Sequence, residues 1–89
     1  MTRQALATAS DLLASAADDS TGAAAERLSD LAAQLDTLAD RDRSPDHGRL
    51  ARIESGLDEL QTDASDDVAA TIDEALDAIH EFRETLEGV

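Results

Sequence analysis

Large apolar side chains recur along this chain at alternating intervals of three and four, the repeat of helices that each bury one stripe. The first stripe is Leu6, Ala9, Leu13 and Ala16. It runs into Asp18-Asp19-Ser20-Thr21-Gly22, a cluster of turn formers that predicts a break. A second stripe follows at Ala24, Leu28, Leu31, Leu35 and Leu38, and stops near Arg41-Asp42-Arg43, whose arginines suit the negative end of a helix dipole. Ser44-Pro45-Asp46 marks a new start: Ser is a preferred N-cap, Pro suits the first helical position, and Asp complements the positive end. The third stripe is Leu50, Ile53, Leu57, Leu60 and Ala64. After Ser65-Asp66-Asp67, a cap with two first-turn acids, the last stripe reads Val68, Ile72, Ala75, Ile79, Phe82 and Leu86. Leu76 widens it, and Gly88 is placed to close it as a C-cap.

These spacings predict one domain, residues 1–89, folded as an all-α antiparallel bundle with helices near 3–17, 22–42, 45–62 and 66–87. One point leaves an alternative open. Leu60, Ala64 and Val68 are spaced four and four, and a stutter there would merge residues 45–87 into a single long helix in a three-helix arrangement. Shifting the chain by 44 residues lays the first two stripes over the last two and sets the break near residue 64 opposite the one near residue 20. Identities are too few to indicate a duplication, but the alignment favours four helices.

Composition thins this core. Twelve Leu, three Ile, two Val and Phe82 make about a fifth of the chain, the level at which high net charge usually means disorder. Eighteen Ala allow close packing yet bury little area each. Such a domain is expected to draw on salt, a partner chain or self-association. Leu12 and Leu76 lie beside their stripes and broaden the apolar surface, which predicts a symmetric homodimer.

Charge is the next departure. The chain holds 21 acids, fourteen of them Asp, against seven cations that are all Arg, for a net charge of −14. Asp is a poorer helix former than Glu, so helix propensity did not set this surface. A cytoplasm holding molar salt would: dense carboxylates stay hydrated, and repulsion is screened within about 3 Å. A GC-rich genome would drift the same way. The charge repels phosphate backbones and anionic membranes, so neither nucleic acid nor membrane is a default partner. Without cysteine there is no disulfide, thiolate nucleophile or Cys metal site. The N-terminal residues lack the apolar run of a signal peptide, and no stretch approaches the ~18 apolar residues of a membrane span. A soluble, cytoplasmic protein is expected.

Candidate chemistry is sparse. Asp77, His80 and Glu84 share one helix, but the neighbouring stripe positions are Ile79 and Phe82, which sets all three on the outer face. Carboxylate-bridged di-iron bundles need inward groups and two Glu-x-x-His elements, and none occurs. His47 falls in the first turn after Pro45, where local capping is expected. There is no Gly-x-Ser-x-Gly elbow, and four scattered glycines build no phosphate loop. No acid occupies a stripe position, where burial would raise a carboxyl pKa. The reading is therefore a protein that is not an enzyme, with no catalytic residue, cofactor or metal site. One segment departs from the acidic background: Arg41, Arg43, Arg49 and Arg52 form an island around the central turn. It could meet an anionic ligand or the acidic face of a partner. The bland alternative is helix capping by Arg41 and Arg43, with Arg49 paired to Asp46.

The stretch Pro45-Asp46-His47-Gly48-Arg49-Leu50-Ala51-Arg52-Ile53-Glu54, and then Asp66-Asp67-Val68-Ala69-Ala70-Thr71-Ile72-Asp73-Glu74-Ala75, resembles a family of short acidic haloarchaeal proteins of unknown function. The resemblance implies salt adaptation and no particular activity. Function then reads as a small non-catalytic interaction or regulatory module with an unidentified protein partner. Two alternatives stand beside it. One is an acidic decoy imitating nucleic-acid charge through rows such as Asp66, Asp67, Asp73, Asp77, Glu81 and Glu84. The other is a small metal-binding protein or enzyme.

Overall fold

The computed structural model describes the backbone of residues 2–40 and 47–87 and the side chains of residues 4–39 and 48–84. Four α-helices account for nearly all of it: α1 (Thr2–Asp18), α2 (Gly22–Asp40), α3 (His47–Asp63) and α4 (Asp66–Glu87). Among the described residues there is no strand. The all-α four-helix bundle expected from the stripes is what forms. The predicted limits at 41–42 and 45–46, the Ser44-Pro45 cap, the Asp46 partner of Arg49 and the C-cap Gly88 lie outside the described residues.

Local chemistry sets the two described turns. At the end of α1 the Asp19 amide donates to the carbonyls of Ser15 and Ala16, and the Ser20 amide to that of Ala17. The Ser20 hydroxyl donates to the Ala16 carbonyl at 2.8 Å, satisfying one acceptor that a helix end leaves open. Gly22 then takes φ +63°, a left-handed value that a side chain resists, and opens α2. At the second turn Ser65 is the expected N-cap: the Val68 amide donates to its hydroxyl at 3.3 Å, and the Ala69 amide to its carbonyl at 2.8 Å. Gln61, near the end of α3, donates its side-chain amide to the Ala69 carbonyl at 2.9 Å. These contacts end α3 and restart the chain as α4, so the single long helix over 45–87 does not form.

The core is built from the stripes. Leu6, Ala9, Leu13 and Ala16 of α1, Leu28, Leu31, Leu35 and Leu38 of α2, Leu50, Ile53 and Leu57 of α3, and Val68, Ile72, Ala75, Ile79 and Phe82 of α4 are all buried. Ala32, Leu76 and Ala78 join them from beside the stripes. Ser10 is buried too, and its hydroxyl reaches across from α1 to the Ala32 carbonyl at 2.8 Å. The exceptions fall together. Ala24, at the head of the second stripe, is exposed, and Leu60 and Ala64, at the tail of the third, are only half-buried. Their expected place in the core is corrected accordingly.

Packing is uneven. Helix α1 packs closely on both α2 and α4, α3 leans on α4, and α2 and α3 barely touch. Ala9 and Ala16 of α1, Ala32 of α2, and Ala75 and Ala78 of α4 are all in the core. Helix α3 turns Leu50, Ile53 and Leu57 inward. A seam stays open between α2 and α3.

Candidate interaction site

The seam holds two adjoining clefts. The wider, about 520 Å³, is lined on α2 by Ala23, Ala24, Arg27 and Leu28, on α3 by Gly56, Glu59, Leu60 and Asp63, and beyond them by Val68 and Ile72 of α4. The narrower, about 320 Å³, is lined by Arg27, Asp30, Leu31 and Gln34 of α2 and Arg52 and Ile53 of α3. The start of α2 thus faces the end of α3, and Gln34 faces the level of Arg52, as antiparallel neighbours must.

Arg27 belongs to both clefts, and Gly56 is why it can. A Cβ built on Gly56 would lie 3.1 Å from Arg27 Nη2 and 3.6 Å from Leu31 Cδ1. The missing side chain leaves a notch on α3 over which the guanidinium crosses the seam. An isolated glycine in the middle of a helical pattern weakens the helix unless packing needs it, and that was the signal for it in the sequence. The two clefts differ in character. The wider one has an apolar floor of Leu28, Val68 and Ile72, apolar walls of Ala24, Leu60 and Ala64, and the exposed carboxylates of Asp19, Glu59 and Asp63 at its edge. The narrower one carries two cations, Arg27 and Arg52, with Asp30 and Gln34.

Of the arginine island, Arg41 and Arg43 lie outside the described residues. Arg49 and Arg52 are exposed on α3, and Arg52 lines the narrower cleft. The cation it meets there is Arg27, from a helix the island did not include.

A second cluster was not legible as a site. Glu54 of α3 is not on the apolar stripe, yet its side chain is only 12% exposed. Arg83 of α4 donates to Oε1 at 2.5 Å. His80 Nε2 lies 2.9 Å from Oε2, within ion-pair range, but Oε2 has no partner that meets the alignment of a hydrogen bond. No acid sits at a stripe position, but Glu54, one turn after Leu50 and one turn before Leu57, is partly covered where α4 closes on that edge. Asp77, His80 and Glu84 are exposed, as the sequence placed them. The imidazole side chain remains 60% exposed. Among the described residues no group of three or more His, Asp or Glu side chains could hold a metal ion, and no helix is long and apolar enough to cross a membrane. The Glu54–Arg83 pair is a tie between α3 and α4, and the chemistry available at the seam is that of recognition.

The profile of a family of unknown function, DUF7553, matches residues 1–85 of the chain. No curated protein and no solved structure matches it.

Proposed function

For a chain that belongs to DUF7553, a family whose function is not assigned, we propose a non-catalytic interaction module that receives a protein partner along the α2–α3 seam. One observation carries the reading. The stripe residues the fold covers only in part or not at all, half-buried Leu60 and Ala64 and exposed Ala24, line the same cleft. Helical stripes are apolar in order to be covered, and uncovered apolar area gathered in one groove marks an interaction surface more often than scattered exposure does. A homodimer has less support, because Leu76 is buried within the chain and Leu12 is half-buried against its core. The module works in a cytoplasm of high salt, a reading supported by the excess of Asp and the net charge of −14.

The test uses a photo-crosslinking amino acid placed at Ala24 or Ala64 in the seam, or at exposed Asp11 and Asp77 on α1 and α4. Crosslinking is done in cells, and purification is kept in molar KCl. Seam positions should capture one stoichiometric protein, and the α1 and α4 positions should not. Equal capture from both faces, or recovery of the chain alone with a bound metal or small molecule, would sink the reading.

A further inference from the structure

The two clefts of the seam adjoin at Arg27, whose guanidinium crosses between them, and together they have a sense of direction. Its α2 wall runs from Ala23 to Gln34 and its α3 wall from Asp63 back to Arg52. Both walls are twelve residues of helix long, eleven steps or about 16 Å at 1.5 Å per residue. An occupant of that length in helical form has about three turns, so two or three side chains spaced by three and four meet the groove floor. The floor offers them Leu28, Val68 and Ile72 beside Leu60 at the wide end, and Leu31 and Ile53 at the narrow end.

Charge along the edges is not uniform. The wide end presents Asp19, Glu59 and Asp63, opposed there by Arg27 alone. The narrow end presents Arg27 and Arg52 against Asp30. Carboxylates at a groove edge select cations on the partner and reject acids. We infer that the occupant is an amphipathic helix of another protein, about three turns long, with apolar anchors on one face. Lys or Arg flanks the anchors at the end meeting Asp19, Glu59 and Asp63, and an acidic residue stands at the end meeting Arg27 and Arg52. This inference rests on the seam being the binding surface and adds the chemistry of what binds.

Neither α3 nor α4 of a second copy presents such a face. The arginines Arg49 and Arg52 sit on α3, but the apolar residues beside them, Leu50 and Ile53, are committed to the core. The exposed row of α4, Asp66, Asp67, Asp73, Asp77, Glu81 and Glu84, would set acids against acids.

The probes are three labelled synthetic peptides of about three helical turns. One has leucines at helical spacing with arginines at one end and a glutamate at the other. One keeps the leucines with glutamates at both ends. One scrambles the first. Binding is read by fluorescence anisotropy at about 1 M KCl, where screening still leaves contact pairs within about 3 Å effective. Circular dichroism confirms that the bundle is folded in each case. The first peptide should bind at least about tenfold tighter than the other two. The double substitution Glu59→Arg with Asp63→Arg, at two exposed positions, should erase that preference while helicity is kept. Equal binding of the acid-flanked peptide would overturn the charge assignment. A preference surviving the double substitution would place binding elsewhere and overturn it too. If no peptide binds while crosslinkers at Ala24 still capture a partner, the helical occupant is wrong and the seam reading stands. If the crosslinkers also capture nothing, both fail.

Discussion

Glu54 shows how much one neighbour decides at the scale of a single residue. A carboxylate at 12% exposure loses most of its hydration, and the Arg83 guanidinium, 26% exposed, replaces it with a charge-assisted contact across α3 and α4. Exposed ion pairs contribute about 0–1 kcal/mol, whereas breaking a buried one costs about 3–5 kcal/mol. A partly covered pair belongs between these limits. A double-mutant cycle of Glu54→Ala and Arg83→Ala, followed by urea unfolding at high salt, should give a coupling of about 1–2 kcal/mol. His80→Ala should cost less, because the imidazole side chain is 60% exposed and poorly aligned on Oε2. A Glu54–Arg83 coupling within error of zero would mean that solvent reaches the pair freely. The position was hard to find from sequence, because Glu54 belongs to the edge of a stripe. Such a residue is wet or dry according to which helix closes on that edge.

Among the elements, α3 is set apart by what it packs with. The glycine at its centre works against the helix, costing roughly 1 kcal/mol relative to alanine. It is buried at the seam, where its bare Cα admits Arg27. Gly56→Ala would bring a methyl 3.1 Å from Arg27 Nη2, the far end of a flexible and exposed side chain, and to an ordinary distance from Leu31. The guanidinium can yield, so helix propensity wins. The substitution should stabilise the bundle by about 0.5–1 kcal/mol in thermal or urea unfolding. It should also displace Arg27 from across the seam. Destabilisation by Gly56→Ala would show that the arginine is pinned and that its position supports the fold. The limits of α1 and α4 were legible, because Ser65 and the cluster before Gly22 act on the backbone beside them. The slight contact of α3 with α2 was not, since it depends on how all four helices pack together.

For the whole molecule, charge and core act against each other. A net charge of −14 on 89 residues repels itself strongly at low ionic strength, and the apolar residues that oppose it are few. The melting temperature should rise by ten degrees or more, as an order of magnitude, between about 0.1 and 3 M KCl, where the screening length falls from about 10 Å to less than 3 Å. Helicity lost on dialysis to low salt should return when KCl is restored. A melting temperature that does not move would favour codon drift as the source of the acids.

The sequence by itself determined the four helices, the break at Ser65 and nearly all of the core. Each follows from local causes: the 3.6-residue repeat, a cap, a turn cluster. It also set the charge. Only tertiary structure decided that Ala24 stays exposed and Leu60 and Ala64 half-buried, that Glu54 is partly covered, and that Arg27 shares a cleft with Arg52. A stripe states which face of a helix seeks cover. Whether cover arrives depends on how closely every other pair of helices approaches, and here α1 packs closely on α2 and α4 while α2 and α3 touch little.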